Sequence, residues 1–143
     1  MKSKTLVKGF TLIELMVVIL ILAILAALVV PRLIGKAGEA KQSKAKADLA
    51  TLAGLINNFR LDCDRYPSTE EGLNALRTPP ADVASKWHGP YTDQDISVDP
   101  WGNAYHYQYP GQNGPDTFDL YSYGADNQPG GTGENADIWN GAN

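Results

Sequence analysis

Phe10 to Val30 is a 21-residue stretch in which Thr11 and Glu14 are the only polar side chains. As a helix it would reach about 31 Å at roughly 1.5 Å per residue, enough to cross a bilayer core of about 30 Å. The buried helix of an ordinary globular domain seldom looks like this. A charge at the centre of a membrane helix costs roughly 2.5–3.5 kcal/mol and somewhat less near its end, so Glu14 calls for a compensating partner. One alternative is a secretory signal peptide, with Lys2, Lys4 and Lys8 as its basic region and Ala26, Ala27, Gly35 or Ala37 marking a cleavage site. Ordinary signal cores run only about 7–15 residues, and a glutamate just ahead of the core fits that reading poorly.

The segment Lys8-Gly9-Phe10-Thr11-Leu12-Ile13-Glu14 resembles the processing site of the type IV pilin superfamily, in which a short basic leader is removed after the glycine. The resemblance implies that a membrane prepilin peptidase cuts between Gly9 and Phe10, that the new Phe10 amine is methylated, and that the apolar helix stays with the mature chain. It also supplies Glu14 with a partner, the cationic amine of Phe10 on the same subunit or its neighbour. Desolvation offsets much of the attraction in such a pair, and its better-attested use is to fix register between subunits. Glu14 is therefore read as an assembly residue; the alternative is a carboxylate that snorkels to the headgroups.

Composition bounds the rest. With 143 residues and 43% apolar content, much of it spent in the first 30 positions, the chain supports one small soluble domain beyond the helix. The formal charge is −4; loss of the three leader lysines from the 12 basic residues leaves nine against 16 acidic, a formal −7. Nucleic acid is excluded as a partner on this balance. Arg32, Lys36, Lys41, Lys44 and Lys46 cluster just after the apolar run, placed to meet anionic headgroups of a lipid bilayer. Counting three lysines before the span against five basic residues after it does not put the C-terminal part outside. Placement of the head in the periplasm is what the resemblance implies. Cys63 is the only cysteine, so no intrachain disulfide forms.

The expected fold class is α+β, with leader 1–9, a membrane or filament-core helix 10–31, an amphipathic continuation 32–62, and a head 63–143 with a short helix and a small antiparallel sheet. Pro31 predicts a kink or local melting, since proline removes an intrahelical hydrogen bond, and Gly35 and Gly38 add looseness. Beyond them Ala45, Leu49, Leu52, Ile56 and Phe59 recur at spacings of four and three and draw one stripe on a helix ending near Arg60 to Asp62. Lys44, Lys46, Asp48 and Asn57 lie off the stripe and are read as a solvated face, the alternative being a specific contact between subunits. Pro67-Ser68-Thr69-Glu70-Glu71 predicts a second helix start, capped by Ser68 or Thr69, that carries Leu73, Ala75 and Leu76 and stops at Pro79-Pro80. From Ala81 to Asp99 the chain is irregular, with Trp87, Pro90 and Tyr91 as anchors. Tyrosines at 105, 107 and 109 alternate with smaller or polar residues, and Thr117 to Tyr123 is a second aromatic-rich run, which predicts paired antiparallel strands. A third strand is expected near Ile138 and Trp139.

In the head, Asp99-Pro100-Trp101-Gly102-Asn103-Ala104-Tyr105, Tyr121-Ser122-Tyr123-Gly124-Ala125-Asp126 and Glu134-Asn135-Ala136-Asp137-Ile138 resemble the major pseudopilin family of the type II secretion system. A type IVa pilin is similar over the first 50 or so residues, but its head usually carries a cysteine pair near the C-terminus, and this chain has none. Asp126 and Asp137 bracket a loop rich in glycine and side-chain oxygen, a setting that suits Ca2+, which takes about 6–8 oxygen ligands. It is not an EF-hand, because Gln128 and Pro129 break that pattern; read on residues alone, a solvated loop of Asx turns is the alternative. The resemblance implies bound calcium, held by the side chains of Asp126 and Asp137 and the main-chain oxygens of Tyr123 and Gln128.

Catalysis is not expected. His88 and His106 stand without a serine or cysteine motif, Cys63 lies between two aspartates that disfavour its thiolate, and no G-x-x-x-x-G-K-[ST] loop occurs. The reading is of a subunit that polymerises with its own copies into a pseudopilus driving secretion. The resemblance implies as partners minor pseudopilins, the prepilin peptidase, an inner-membrane platform with its secretion ATPase, and an outer-membrane secretin channel. The rival readings are a type IV or competence pilus subunit and a membrane-anchored calcium-binding module that never polymerises.

Overall fold

The computed structural model describes residues 9–95 and 98–140, with the side chains of 30–34 left out. Lys2, Lys4 and Lys8 of the expected leader lie outside the described residues. One helix, α1 (Leu12–Cys63), is followed by a five-residue 3-10 turn, Gly72–Leu76, and by the strands β1 (His106–Gln108), β2 (Asp119–Ser122) and β3 (Ile138–Trp139). The chain divides into two compact units, one ending at Ala37 and one running from Gly38 to Asn143. The α+β class expected from the sequence is the one observed.

In the first unit α1 carries apolar side chains on every face, and the stretch Leu12–Val29 is long and apolar enough to cross a membrane, with none of it buried. Leucine, isoleucine and valine rather than packing make this helix, since its backbone hydrogen bonds are all internal. Helical structure continues through Pro31, so the local melting expected there does not occur. The kink expected there falls on the segment 30–34, outside the described side chains.

The second unit is built on the other half of α1. Ala45, Leu49, Leu52, Ile56 and Phe59, the stripe read from the sequence, are each 1% exposed or less, and Ala53 and Cys63 extend it. Against this stripe lie Tyr66, Leu76, Val83, Tyr105, Leu120 and Ile138. Asp64, with φ of 60°, ends the helix in the left-handed conformation, and its N–H donates to the Arg60 carbonyl at 2.9 Å, a C-terminal cap more often made by glycine.

The three strands form an antiparallel sheet in the order β1-β2-β3, with His106 opposite Tyr121 and Tyr121 opposite Trp139. Alternation sorts the aromatic side chains. Tyr105 and Tyr107 turn inward, their hydroxyls donating to Asp48 Oδ2 at 3.2 Å and to the Pro67 carbonyl at 2.9 Å. His106, Tyr121 and Trp139 form a stacked row on the other face, with centroids 5.1 and 4.1 Å apart. Strands this short are marginal alone and depend on the helix they cover. The loop between α1 and the sheet is pinned as expected: Trp87 Nε1 donates to the Ala75 carbonyl at 2.9 Å and the Tyr91 hydroxyl to Asp62 at 2.7 Å.

The second helix is shorter than the sequence predicts. Ser68 and Glu71 do make the reciprocal cap, with Ser68 N donating to Glu71 Oε2 at 2.8 Å and Glu71 N to Ser68 Oγ at 3.2 Å. Gly72, at φ of 55°, then turns the chain out of the α conformation, leaving a 3-10 turn. Glu71 is also claimed by Arg65, whose guanidinium binds it through two bonds of 2.8 Å while its other edge holds Asp82. These bonds tie the end of α1 to the two segments that follow it.

The Arg65 hydrogen bonds hold the Glu71 carboxyl below its ordinary pKa of 4.5. A depressed carboxylate contributes stability above its unfolded pKa and loses it as pH falls through the folded one. Acid unfolding of a Glu71→Gln variant should therefore show a weaker pH dependence below about 4.5 than the parent chain, measured as the denaturation midpoint in a pH series.

Candidate functional site

Two places hold the side chains singled out above. At the start of α1, Gly9 and Phe10 precede the helix, Phe10 with 84% of its surface exposed and Gly9 with open space around its Cα. Phe10 nitrogen is a peptide nitrogen here, bonded to Gly9, so the amine that would pair with Glu14 exists only after cleavage. Glu14 already has another partner. Its Oε2 accepts both the Thr11 N–H and the Thr11 hydroxyl at 2.9 Å, and its own N–H donates to Thr11 Oγ1 at 3.2 Å. This is a capping box: the first turn of a helix leaves N–H groups without intrahelical acceptors, and a Thr-x-x-Glu pair satisfies two of them. The spacing that makes it is local, Thr11-Leu12-Ile13-Glu14, and is the signal in the sequence that marks Thr11 as the partner of Glu14.

The second place is the loop from β2 to β3. It leaves Ser122 and returns to Ile138, residues paired across the sheet, so its two ends are neighbours. Ala125 N–H donates to the Glu134 carbonyl at 2.9 Å, which brings the outgoing and returning chains together. Gly124, at φ of 72°, lies so close that a Cβ there would stand 2.6 Å from the Glu134 carbonyl oxygen and 2.9 Å from that of Ala136. No residue with a side chain fits that position.

Asp126 and Asp137 both turn onto the stretch they bracket. Asp126 Oδ1 accepts the Gln128 N–H at 3.2 Å; the Asp137 carboxylate accepts the Gly130 N–H at 2.9 and 3.0 Å. Gln128 thus enters the local geometry through its amide, and Tyr123 through its ring, which stands 4.8 Å from His106 and 5.0 Å from Tyr121. Among the described residues neither aspartate has a lysine or arginine partner, and no cluster of three or more acidic, histidine or cysteine side chains occurs. Any cation held here would draw its remaining ligands from main-chain oxygens and water. Asp126 is exposed and Asp137 half-buried.

Behind the loop stands the Asp99–Asn103 turn, which donates to it through Asn103. Its organising residue is Asp99, 5% exposed, which accepts the N–H groups of Trp101 and Asn103 at 3.0 and 2.8 Å and the Ser122 hydroxyl at 2.6 Å. Asn103 in turn donates to the Gly124 carbonyl at 2.8 Å. A buried carboxylate is tolerated because every one of these bonds is aimed at it.

Cys63 is a free thiol, 3% exposed, and burial first of all pushes its pKa up, with Asp62 a lesser cause. Asp64, the other flanking aspartate, is engaged by Lys86 at 2.8 Å. His88 is exposed, with Nδ1 3.6 Å from Asp62.

Replacing Thr11 by valine should remove both side-chain bonds of the capping box. The expected cost is about 1 kcal/mol at the helix start, read as roughly fivefold faster amide exchange at residues 12–14 in detergent, with serine restoring protection.

The chain is similar to known proteins over the stretches that hold both places. The family described as "Type II secretion system (T2SS), protein G" matches residues 32–141, and the prokaryotic N-terminal methylation motif matches residues 5–30. The chain is 48% identical over 134 residues to the type II secretion system core protein G of Pseudomonas aeruginosa, an alignment covering 92% of this chain and 93% of that one. It is 45% identical to the Vibrio cholerae protein of the same name, over 92% of this chain and 90% of that one. Its fold is similar to the crystal structure of the major pseudopilin from the type 2 secretion system of enterohaemorrhagic Escherichia coli, with a TM-score of 0.60, 34% identity, and coverage of 78% of this chain and 96% of that one. With a head matched throughout, an N-terminal methylation motif and a pseudopilin fold, this chain belongs to the protein G family of the type II secretion system, the major pseudopilins.

Proposed function

We propose that this pseudopilus subunit is cut by prepilin peptidase between Gly9 and Phe10, methylated on the new Phe10 amine, and held in the inner membrane by Leu12–Val29 with its head in the periplasm. From there it joins a homopolymer. The inner-membrane platform, driven by the cytoplasmic secretion ATPase, adds subunits beneath minor pseudopilins, and the rod acts on substrates at the outer-membrane secretin channel. The observation that carries this reading is the methylation motif over residues 5–30 on a helix whose apolar side chains have no cover of their own. Such a surface is stable only in hydrocarbon or against other copies, and a filament moves it from the first to the second. The subunit's work is structural, and no described group is arranged for catalysis.

Glu14 has two tasks in this scheme. The capping bonds use Oε2, which leaves Oε1 to accept from a second donor, and the Phe10 amine released by cleavage would be that donor in the same subunit or the next. Pairing with a neighbour's amine selects one register along the filament axis, because a carboxylate left unpaired in an apolar core is costly. Mass spectrometry of the mature chain should find N-methylated Phe10. A Glu14→Ala variant should insert and be cleaved yet give a filament yield far below that of the parent; normal yield would defeat this account of the carboxylate.

For the head we propose one structural Ca2+ in the loop between β2 and β3. The donor set fits a hard cation. Among the described residues Asp126 and Asp137 offer carboxylate oxygens without a lysine or arginine partner, and the main-chain oxygens of Tyr123, just after β2, and of Gln128 would add to the set. Bound there, the ion would neutralise two negative charges and draw the returning chain onto the end of β2, so the order of the C-terminal segment depends on calcium by linkage. Asp126→Ala or Asp137→Ala should lower the melting temperature markedly more in millimolar calcium than in chelator, where only the bonds to the 128 and 130 amides are lost. An equal drop in both conditions would rule out ligation.

A further inference from the structure

The turn that precedes β3 reaches back to the helix. Gln42 Nε2 donates to the Gly133 carbonyl, and Glu134 Oε2 accepts the Trp101 indole N–H at 3.1 Å. The arm of Glu134 fills the space beside Gly38: a Cβ on Gly38 would stand 2.6 Å from both Cγ and Cδ of the glutamate. Gly38 is buried and opens the second compact unit, whereas the apolar stripe that packs the helix begins only at Ala45. At 3.6 residues per turn, Glu134 therefore carries the tertiary contact of α1 about two turns beyond its hydrophobic packing.

We infer that the turn Gly133–Asn135 is a strap that latches the helix at Gly38 through Glu134, making the order of the C-terminal loop and of the first turns of the head helix one cooperative event. The latch explains a glycine in the middle of a helix, where its backbone freedom is unfavourable. It needs no side chain at 38, because the glutamate supplies one from across the fold. Anything that orders the loop then tightens residues 38–42 of the helix, and opening the loop releases them. The inference stands on these contacts and is independent of the calcium reading.

Helix propensity and the latch make opposite forecasts for Gly38→Ala, which gives a sharp test by hydrogen exchange on the full chain in detergent. Alanine is the better helix former, so on a free helix face the substitution slows exchange. With the latch present, alanine must push Glu134 aside, and exchange of residues 38–42 and of the Ala125 amide, which donates to the Glu134 carbonyl, should rise about tenfold. In a Glu134→Ala background the same substitution should slow exchange at 38–42 instead, a non-additivity that reports direct coupling. Glu134→Ala alone should speed exchange at these positions while Leu52 to Phe59 stay protected. An effect of Gly38→Ala with the same sign in both backgrounds, or a loss of protection in Glu134→Ala that extends to Phe59, would overturn the strap.

Discussion

A helix whose side chains are apolar on all sides has to be surrounded, and that requirement governs this protein. From Leu12 to Val29 every described side chain is exposed in the single chain. Burying apolar surface is worth about 25 cal/mol per Å2, so the segment is driven either into hydrocarbon or against its own kind. The rest of α1 obeys a gentler rule. From Ala45 to Cys63 it has one apolar stripe, satisfied within the chain by two tyrosines, a leucine and an isoleucine of the sheet, and the loops between. One helix thus meets two solvents, and the change from all-round to one-sided hydrophobicity divides the work of polymerising from the work of folding a head.

Polar groups in the head act mainly as ties between segments that have little regular structure. Arg65 holds the two segments after the helix, Asp99 organises a turn and reaches Ser122 on the central strand, and Asn103 carries that turn to Gly124. Each charge that loses water gains several directed bonds, which is the condition for burying it at tolerable cost. With strands of two to four residues, the sheet has too few ladder bonds to define the head by itself. Side-chain ties and the helix stripe complete it.

Much of the fold was legible because it depends on period and composition. The stripe from Ala45 to Phe59 follows a helical repeat and is buried as read; the alternating tyrosines mark an antiparallel strand as read, and the structure turns those at 105 and 107 inward. The short helix after Ser68 was overread. Its cap is present, but Gly72 adopts a left-handed φ that a pattern of leucines does not reveal. Asp126 and Asp137 were correctly assigned to one loop, while the turning of both onto the amides of 128 and 130 needed coordinates. Thr11 was readable in principle, since its spacing to Glu14 is local and the capping box has a known pattern.

Residue order alone carried most of what rests on neighbours along the chain: the membrane-length helix, its carboxylate, the amphipathic continuation, the alternating strands and the family they belong to. Only the tertiary structure decided what depends on residues far apart in sequence meeting at a given distance. Glu134 filling the place of a side chain at Gly38, Asp99 receiving Ser122, and Gly124 lying against the carbonyls of 134 and 136 are contacts of that kind. Hydrophobic periodicity records which face of an element is buried. It carries no record of the partner that buries it, because apolar attraction is non-directional and the choice is made by packing and by hydrogen bonds that exist only once the chain has closed on itself.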